Sequence, residues 1–241
     1  MKLHKKVLSS IVGLGLLLSG THLFAAEKTA KDVVRQAYAQ MSKLDNYAFK
    51  AHVVDNEAED DGSITQYKHD VTVTIDRPNK MRVETKSATR NRTSYINNGA
   101  FTMMDNDFAY YGQLKTPKSI DGALDFIFDK YGIRTPLASL MYTNMNKRLK
   151  FKNNKYFGVV NVSGEACDYV AFKTGTKEVH IWISAGETPL VKTYSIIDTS
   201  TKPYSRTNTT LTWDTNPKLS DSDFVFVAPK GATKISINSA N

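Results

Sequence analysis

The chain changes its hydrophobic period three times. Over residues 31–44 the apolar positions Val33, Val34, Ala37, Met41 and Leu44 fall on one helical stripe, leaving Lys31, Asp32, Arg35, Gln36 and Lys43 outside it. From Tyr47 the period is two. Phe49, Ala51 and Val53 alternate with Lys50 and His52, and Val71, Val73 and Ile75 alternate with Thr72 and Thr74. Met81, Val83 and Thr85 alternate with Arg82, Glu84 and Lys86. This alternation predicts half-buried antiparallel strands. Residues 55–62 read as a polar, acidic loop. Asn97-Asn98-Gly99 is a tight hairpin signal leading into Phe101 and Met103, and a second turn at residues 105–107 precedes a strand over 108–111.

Helical spacing then returns. Ile120, Leu124, Ile127, Phe128 and Tyr131 form one stripe, with Asp121, Asp125, Asp129 and Lys130 elsewhere. Thr135-Pro136, an oxygen cap followed by proline, predicts the start of another helix, with Leu137, Leu140 and Met141 on its apolar face. Strands resume over 157–162, 169–172, 179–183, 191–197, 209–213 and 224–227, punctuated by Gly164, Gly186, Pro189, Pro203 and Pro217. No repeat or linker is visible, so residues 26–241 are expected to form a single α+β domain, mainly β. A sheet of that size must curl to cover itself, and the mid-chain helices are placed to plug its concave side.

The first 25 residues carry a different signal. Lys2, Lys5 and Lys6 precede an apolar run over 7–18, and Leu23-Phe24-Ala25 offers a cleavage point at Ala25 or Ala26. This is the pattern of a secretory signal peptide. Its apolar run of 12 residues falls short of the roughly 20 that span a bilayer as a helix, and no later stretch is long enough. With no cysteine nearby to carry a lipid anchor, the expected product is a soluble periplasmic protein. The full chain has 32 basic and 24 acidic residues. Loss of the three leader lysines leaves 29 basic groups and about +5, too mild a charge to argue for nucleic acid. Cys167 is the only cysteine, so no intrachain disulfide is available, and beside Ala166 it reads as a small buried hydrophobe.

Candidate chemistry is sparse. His52, His69 and His180 lie in no HxxxH or HExxH spacing, so no metal or cofactor is expected. A Gly-x-Ser-x-Gly elbow, a phosphate-cradling glycine loop and a Cys/His pair are all missing from the sequence. Asp105/Asp107 and Asp221/Asp223 sit in turn-forming sequence, where aspartate serves local backbone hydrogen bonds. No catalytic residue is assigned and an enzyme is not expected. The basic stretch Lys80, Arg82, Lys86, Arg90 and Arg92 reads either as a solvated face or as a contact for anionic lipid or for an acidic patch on a partner.

The C-terminal half resembles a known family. Gly164-Glu165-Ala166-Cys167-Asp168, His180-Ile181-Trp182-Ile183, Gly186-Glu187-Thr188-Pro189, Trp213-Asp214 and Phe224-Val225-Phe226-Val227 look like a set of uncharacterised bacterial periplasmic proteins. Upstream, Arg82-Val83-Glu84, Asn98-Gly99, Ile120-Asp121-Gly122-Ala123-Leu124, Tyr131-Gly132-Ile133 and Pro136-Leu137-Ala138 continue the likeness, which covers most of residues 30–237. The chain departs from that pattern at Tyr169, where the family carries His, and at His180, where it carries Gln. The family is a domain of unknown function similar to the LolA/LolB-like superfamily of lipoprotein carriers. The resemblance implies an unclosed antiparallel β half-barrel with an N-terminal helix and a mid-chain helical lid over an apolar cavity.

On this basis the expected role is to hold a lipid, lipoprotein acyl chain or other hydrophobic ligand between sheet and helices. The expected lining is Phe101, Met103, Leu124, Phe126, Ile127, Leu137, Leu140, Met141, Ile181, Ile183, Trp213 and Phe224. Leu124, Ile127, Phe128, Leu137, Leu140 and Met141 are also read as ordinary core residues. In that case the protein is an envelope interaction or sensor module whose partner is another envelope protein, with peripheral membrane contact at most.

Overall fold

A computed structural model describes residues 28–150, 152–200 and 202–240; the leader and its cleavage point lie outside them. Helix α1 (Ala30–Met41) begins at Thr29, whose hydroxyl oxygen accepts from the Asp32 amide at 3.2 Å. Its buried stripe is Val33, Val34, Ala37, Tyr38 and Met41. Two residues before α1, Lys28 Nζ donates at 2.5 Å to Asp168 in the far half of the sheet. Asp168 is otherwise buried and also accepts from the Tyr156 hydroxyl at 2.7 Å.

The strands are β1 (Asn46–Ala58), β2 (Ile64–Asp76), β3 (Lys80–Ser87), β4 (Asn91–Asn97), β5 (Ala100–Asp105) and β6 (Tyr110–Lys115), then, beyond the lid, β7 (Lys152–Val162), β8 (Glu165–Thr174), β9 (Lys177–Ser184), β10 (Val191–Asp198), β11 (Ser205–Asp214) and β12 (Thr233–Lys234). They form one sheet in the order β12-β6-β5-β4-β3-β2-β1-β11-β10-β9-β8-β7. Every pairing is antiparallel except that of the two-residue β12, which runs parallel to β6. The sheet does not close: β7 and β12 are its outermost strands. The two halves of the chain meet where β1 pairs β11, placing Phe49 opposite Trp213 and Val53 opposite Thr209.

One face carries the core. Files of paired residues run across it, such as Ile75–Met81–Ile96–Phe101. The core cluster also takes in α1 and the segment between β6 and β7. There, α2 (Ile120–Tyr131) is capped by Ser119, whose hydroxyl oxygen accepts from the Gly122 amide, and ends in left-handed Gly132. It is followed by a single 3-10 turn (Ala138–Leu140) and the four-residue α3 (Met145–Arg148).

Three sequence expectations are corrected. Residues 55–58 belong to β1, so the acidic loop is confined to residues 59–63. Thr135-Pro136 does not open an α-helix, because Leu137 takes a left-handed conformation (φ 58°) and only one 3-10 turn follows. Residues 224–227 do not form a strand. Ser220 and Asp223 make a reciprocal capping box that starts a 3-10 turn (Asp221–Phe224), and the chain then runs as an unpaired strap along the convex face. The Phe226 ring packs there on Tyr95 and Tyr111, at 5.8 and 4.9 Å between centroids. The strap then pairs as β12 on the edge of β6 and lays Ile237 over Gly112 on the concave side. It ends with the Ala240 amide bonded to the Lys130 carbonyl at 3.1 Å. The turn readings of Asp105 and Asp223 hold: Asp105 accepts from the Asp107 and Phe108 amides, and Asp223 from that of Ser220.

Candidate functional site

Eleven of the twelve apolar residues expected to line a cavity come together on the concave face. Phe101, Leu124, Ile127, Leu140, Met141, Ile181 and Ile183 are buried in one cluster, and Met103, Phe126, Leu137 and Trp213 pack against it. The exposures of Ile127, Met141 and Ile183 are all 0%, which leaves no water-sized space against them. The region under the helices is occupied by side chains. Trp213 is fixed as well, its Nε1 donating to the Val191 carbonyl at 2.7 Å and its ring 4.9 Å from that of Phe49. Phe224 is apart from the others. It is buried in the strap against β3 and β4, and its carbonyl accepts from Asn97 on the convex face.

Open space lies where the sheet extends past the helices and also in a hollow of about 290 Å³ within the lid, lined by Leu124, Phe128, Ile133, Ala138 and Tyr142. A groove of about 290 Å³ is walled on one side by Val83, Thr85, Arg92, Ser94 and Met103 and on the other by residues 132–136, with Arg90 at its rim. The register accounts for this wall, since Val83, Ser94 and Met103 form one inward file and Thr85 pairs with Arg92 in the next. Residues 132–136 are held in place by the C-terminus of α2, where the Gly132 and Ile133 amides donate back to the Phe128 and Ile127 carbonyls. Below them Arg148 grips Asp125 through two bonds of 2.9 and 2.7 Å, holding that carboxyl below its ordinary range. Burial and the Asp125 charge push the Tyr142 hydroxyl up to about 12.

The groove continues into a cavity of about 490 Å³ through shared Thr85, Arg90 and Pro136, where Asp55, Glu57, Tyr67 and His69 line the space. A further hollow of about 270 Å³ shares Asp55 and Glu57 and adds Lys177, Ile196 and Asp198. Asp55 accepts from the Thr207 hydroxyl at 2.6 Å and lies 3.5 Å from His69 Nδ1. The concave trough is therefore apolar and cationic beside the lid and of mixed charge farther out, where Lys68, Lys177 and Arg206 accompany Asp55, Glu57 and Asp198. Among the described residues no group of three His, Cys, Asp or Glu could hold a metal, and no helix is long and apolar enough to cross a membrane. Cys167 is buried, and burial pushes its thiol up.

The basic stretch divides between the two faces. Lys80 and Arg82 lie on the convex face, bonded to Asp221 at 2.6 Å and Glu84 at 2.7 Å, and Lys86 follows on that face opposite Asp70. Arg90 and Arg92 border the groove. Sequence reasoning missed Arg134, Ile133 and Asp55. For Arg92 a signal was present: it shares a strand face with Ser94 and buried Ile96, a charge on a core-facing file. Arg134 carries no such signal, because it lies outside any regular element.

The model of the family described as predicted periplasmic protein (DUF2092) matches residues 30–238. The chain belongs to this family. As a DUF2092 protein its compartment is the periplasm, in agreement with the leader and with the resemblance read from sequence. No curated protein matches it. Among solved structures it is similar to an uncharacterized conserved protein of Thermus thermophilus (9% identity, 86% of this chain and 98% of that one, TM-score 0.51). It is also similar to the lipoprotein LppX of Mycobacterium tuberculosis (11% identity, 79% and 98%, TM-score 0.46) and to a LolA superfamily protein of Nitrosomonas europaea (12%, 83% and 98%, TM-score 0.37). The open, helix-covered antiparallel sheet of this DUF2092 protein is the architecture expected from sequence. Tyr169 and His180, expected from sequence to depart from the family pattern, meet on the convex face, where the Tyr169 hydroxyl lies 2.6 Å from His180 Nδ1 and the Tyr169 ring stacks on Trp182 at 4.6 Å.

Proposed function

We propose that this protein is a non-enzymatic periplasmic binding protein that holds a lipid, a lipoprotein acyl chain or another hydrophobic ligand in the groove between residues 132–136 and strands β3–β5. The observation that carries this reading is the groove itself, a concave space whose floor of Val83 and Met103 adjoins the apolar core and whose far wall is Ile133 and Pro136. Its volume, with that of the adjoining cavity, matches the roughly 300–1,000 Å³ of ligand sites. Burial of each methylene contributes about 0.8 kcal/mol. Five or six would yield about 4–5 kcal/mol before ordering costs, which suits reversible loading.

Lipid extraction and native mass spectrometry of the mature protein test this reading, together with titration of a fluorescent fatty acid. Met103→Trp, which fills the groove from its floor, is expected to abolish probe binding while leaving the melting temperature near that of the parent. No co-purified lipid and no probe binding would overturn the carrier. The near-zero exposure of Leu124, Ile127, Leu140 and Met141 favours the second reading in that event. The same fold would then serve as an envelope interaction or sensor module, its working part an outer surface that meets another envelope protein.

A further inference from the structure

Resting on that binding role, we infer that Arg90, Arg92 and Arg134 form a headgroup site, and that the ligand is an anionic amphiphile. Its carboxylate or phosphate meets the guanidiniums while its hydrocarbon lies on Val83, Met103 and Ile133. All three arginines border one groove, and none of its lining residues is an acid. Among the described residues the acid paired with one of them is Asp105, 3.3 Å from Arg92 Nε. The Arg134 Cζ lies over the Phe128 ring, 5.1 Å from its centroid, a cation–π contact that places this charge beside the groove. Arg90 is exposed in the turn between β3 and β4.

Three like charges around one small space repel one another, and a bound anion relieves that repulsion. Planar guanidiniums offer paired donors that match carboxylate and phosphate oxygens. The trough also imposes a direction. The next cavity sets Asp55 and Glu57 beside Lys68, whereas the groove at the lid is lined by arginines and by no acid, so the headgroup is held at the lid end. The Thr85, Ser94 and Thr135 side chains add hydroxyls to the same lining. A neutral hydrocarbon would need none of these groups.

The test compares a dansyl-labelled undecanoic acid with its methyl ester on the intact mature protein, at low salt and at about 0.5 M salt. Charge-assisted hydrogen bonds make the acid bind about tenfold or more tightly than the ester, with the advantage shrinking in high salt. The double variant Arg90→Gln/Arg134→Gln, which leaves the Arg92–Asp105 pair intact, should lose most of that acid-over-ester ratio while its melting temperature stays near that of the parent. Displacement of the acid by millimolar inorganic phosphate supports the same anion site. Equal affinities for acid and ester overturn the headgroup assignment and leave the carrier reading standing. Failure of both probes overturns both. Phosphate binding with neither probe retained overturns the amphiphile in favour of a free oxyanion.

Discussion

The Arg77 guanidinium donates a hydrogen bond to the main-chain carbonyl of Met141 at 2.8 Å. The same side chain donates to the Leu44 carbonyl at 3.1 Å and to the Tyr47 hydroxyl at 3.0 Å. Tyr47 in turn donates to the Leu140 carbonyl at 3.1 Å. One cation thus joins the turn after α1, the β2–β3 hairpin and the lid, at positions where regular structure supplies no partners for these carbonyls. Arg77→Lys preserves the charge but not the planar fork that reaches three acceptors. It is expected to cost about 2–3 kcal/mol in urea denaturation, against about 1 kcal/mol for Tyr47→Phe. A neutral Arg77→Lys would show that the lid is held by packing alone.

The state of the core makes Leu140 a second test. Leu140 is 2% exposed, so Leu140→Asp places a carboxylate among apolar neighbours without a partner and should prevent folding altogether. Leu140→Ala is expected to cost about 2–5 kcal/mol with no change in probe affinity, because the groove lies beyond this residue. A tenfold loss of probe binding in a fully folded Leu140→Ala protein would place the ligand under the helices instead.

Much of this architecture was readable from the periodicity. The alternation from Phe49 to Val53 and from Met81 to Thr85 gave the right faces, because period two in a half-buried sheet has one solution. Ser119 and the stripe from Ile120 to Ile127 gave α2 for the same kind of reason. The misreadings lie where tertiary contacts override local preference. Leu137 is held left-handed in a segment fixed by Arg77 at Met141 and by Asp121, which accepts from the Thr143 amide and hydroxyl. Phe224 to Val227 has strand composition but sits where the outer face of β3 and β4 offers packing and no free edge. The groove was harder still. Apolar residues that fill a core and those that line a void look alike in sequence, and Arg134 joins the neighbouring Arg90 and Arg92 at its mouth from an irregular segment far along the chain.

The strap offers a double-variant cycle. A β-carbon at Gly112 would lie 2.5 Å from Ile237 Cγ1, closer than the two can approach. Gly112→Ala should therefore displace the strap from the concave side, costing about 1–3 kcal/mol. In an Ile237→Ala background the same change should cost much less. Additive losses in thermal melts of the single and double variants would show that Ile237 does not press on Gly112 in solution.

Alkaline pH probes the same latch from the proton side. Burial pushes the Tyr47 hydroxyl up to about 12, against the opposing pull of the Arg77 charge. Burial raises Tyr38 as well. A folded-state value above the unfolded one means the native protein holds the proton longer. The stabilisation is then complete below about pH 10, the unfolded tyrosine value, and is lost as pH rises from there toward about 12. Each such tyrosine contributes a slope of about −1.4 kcal/mol per pH unit in that window. Urea denaturation at intervals from pH 8 to pH 11.5 should show this decline in the parent protein. Tyr47→Phe should start lower at pH 8 and fall less steeply, because one titrating group has gone while Tyr38 remains. Parallel curves for the two proteins would mean that the Tyr47 hydroxyl is open to solvent and that Leu140 is not its acceptor.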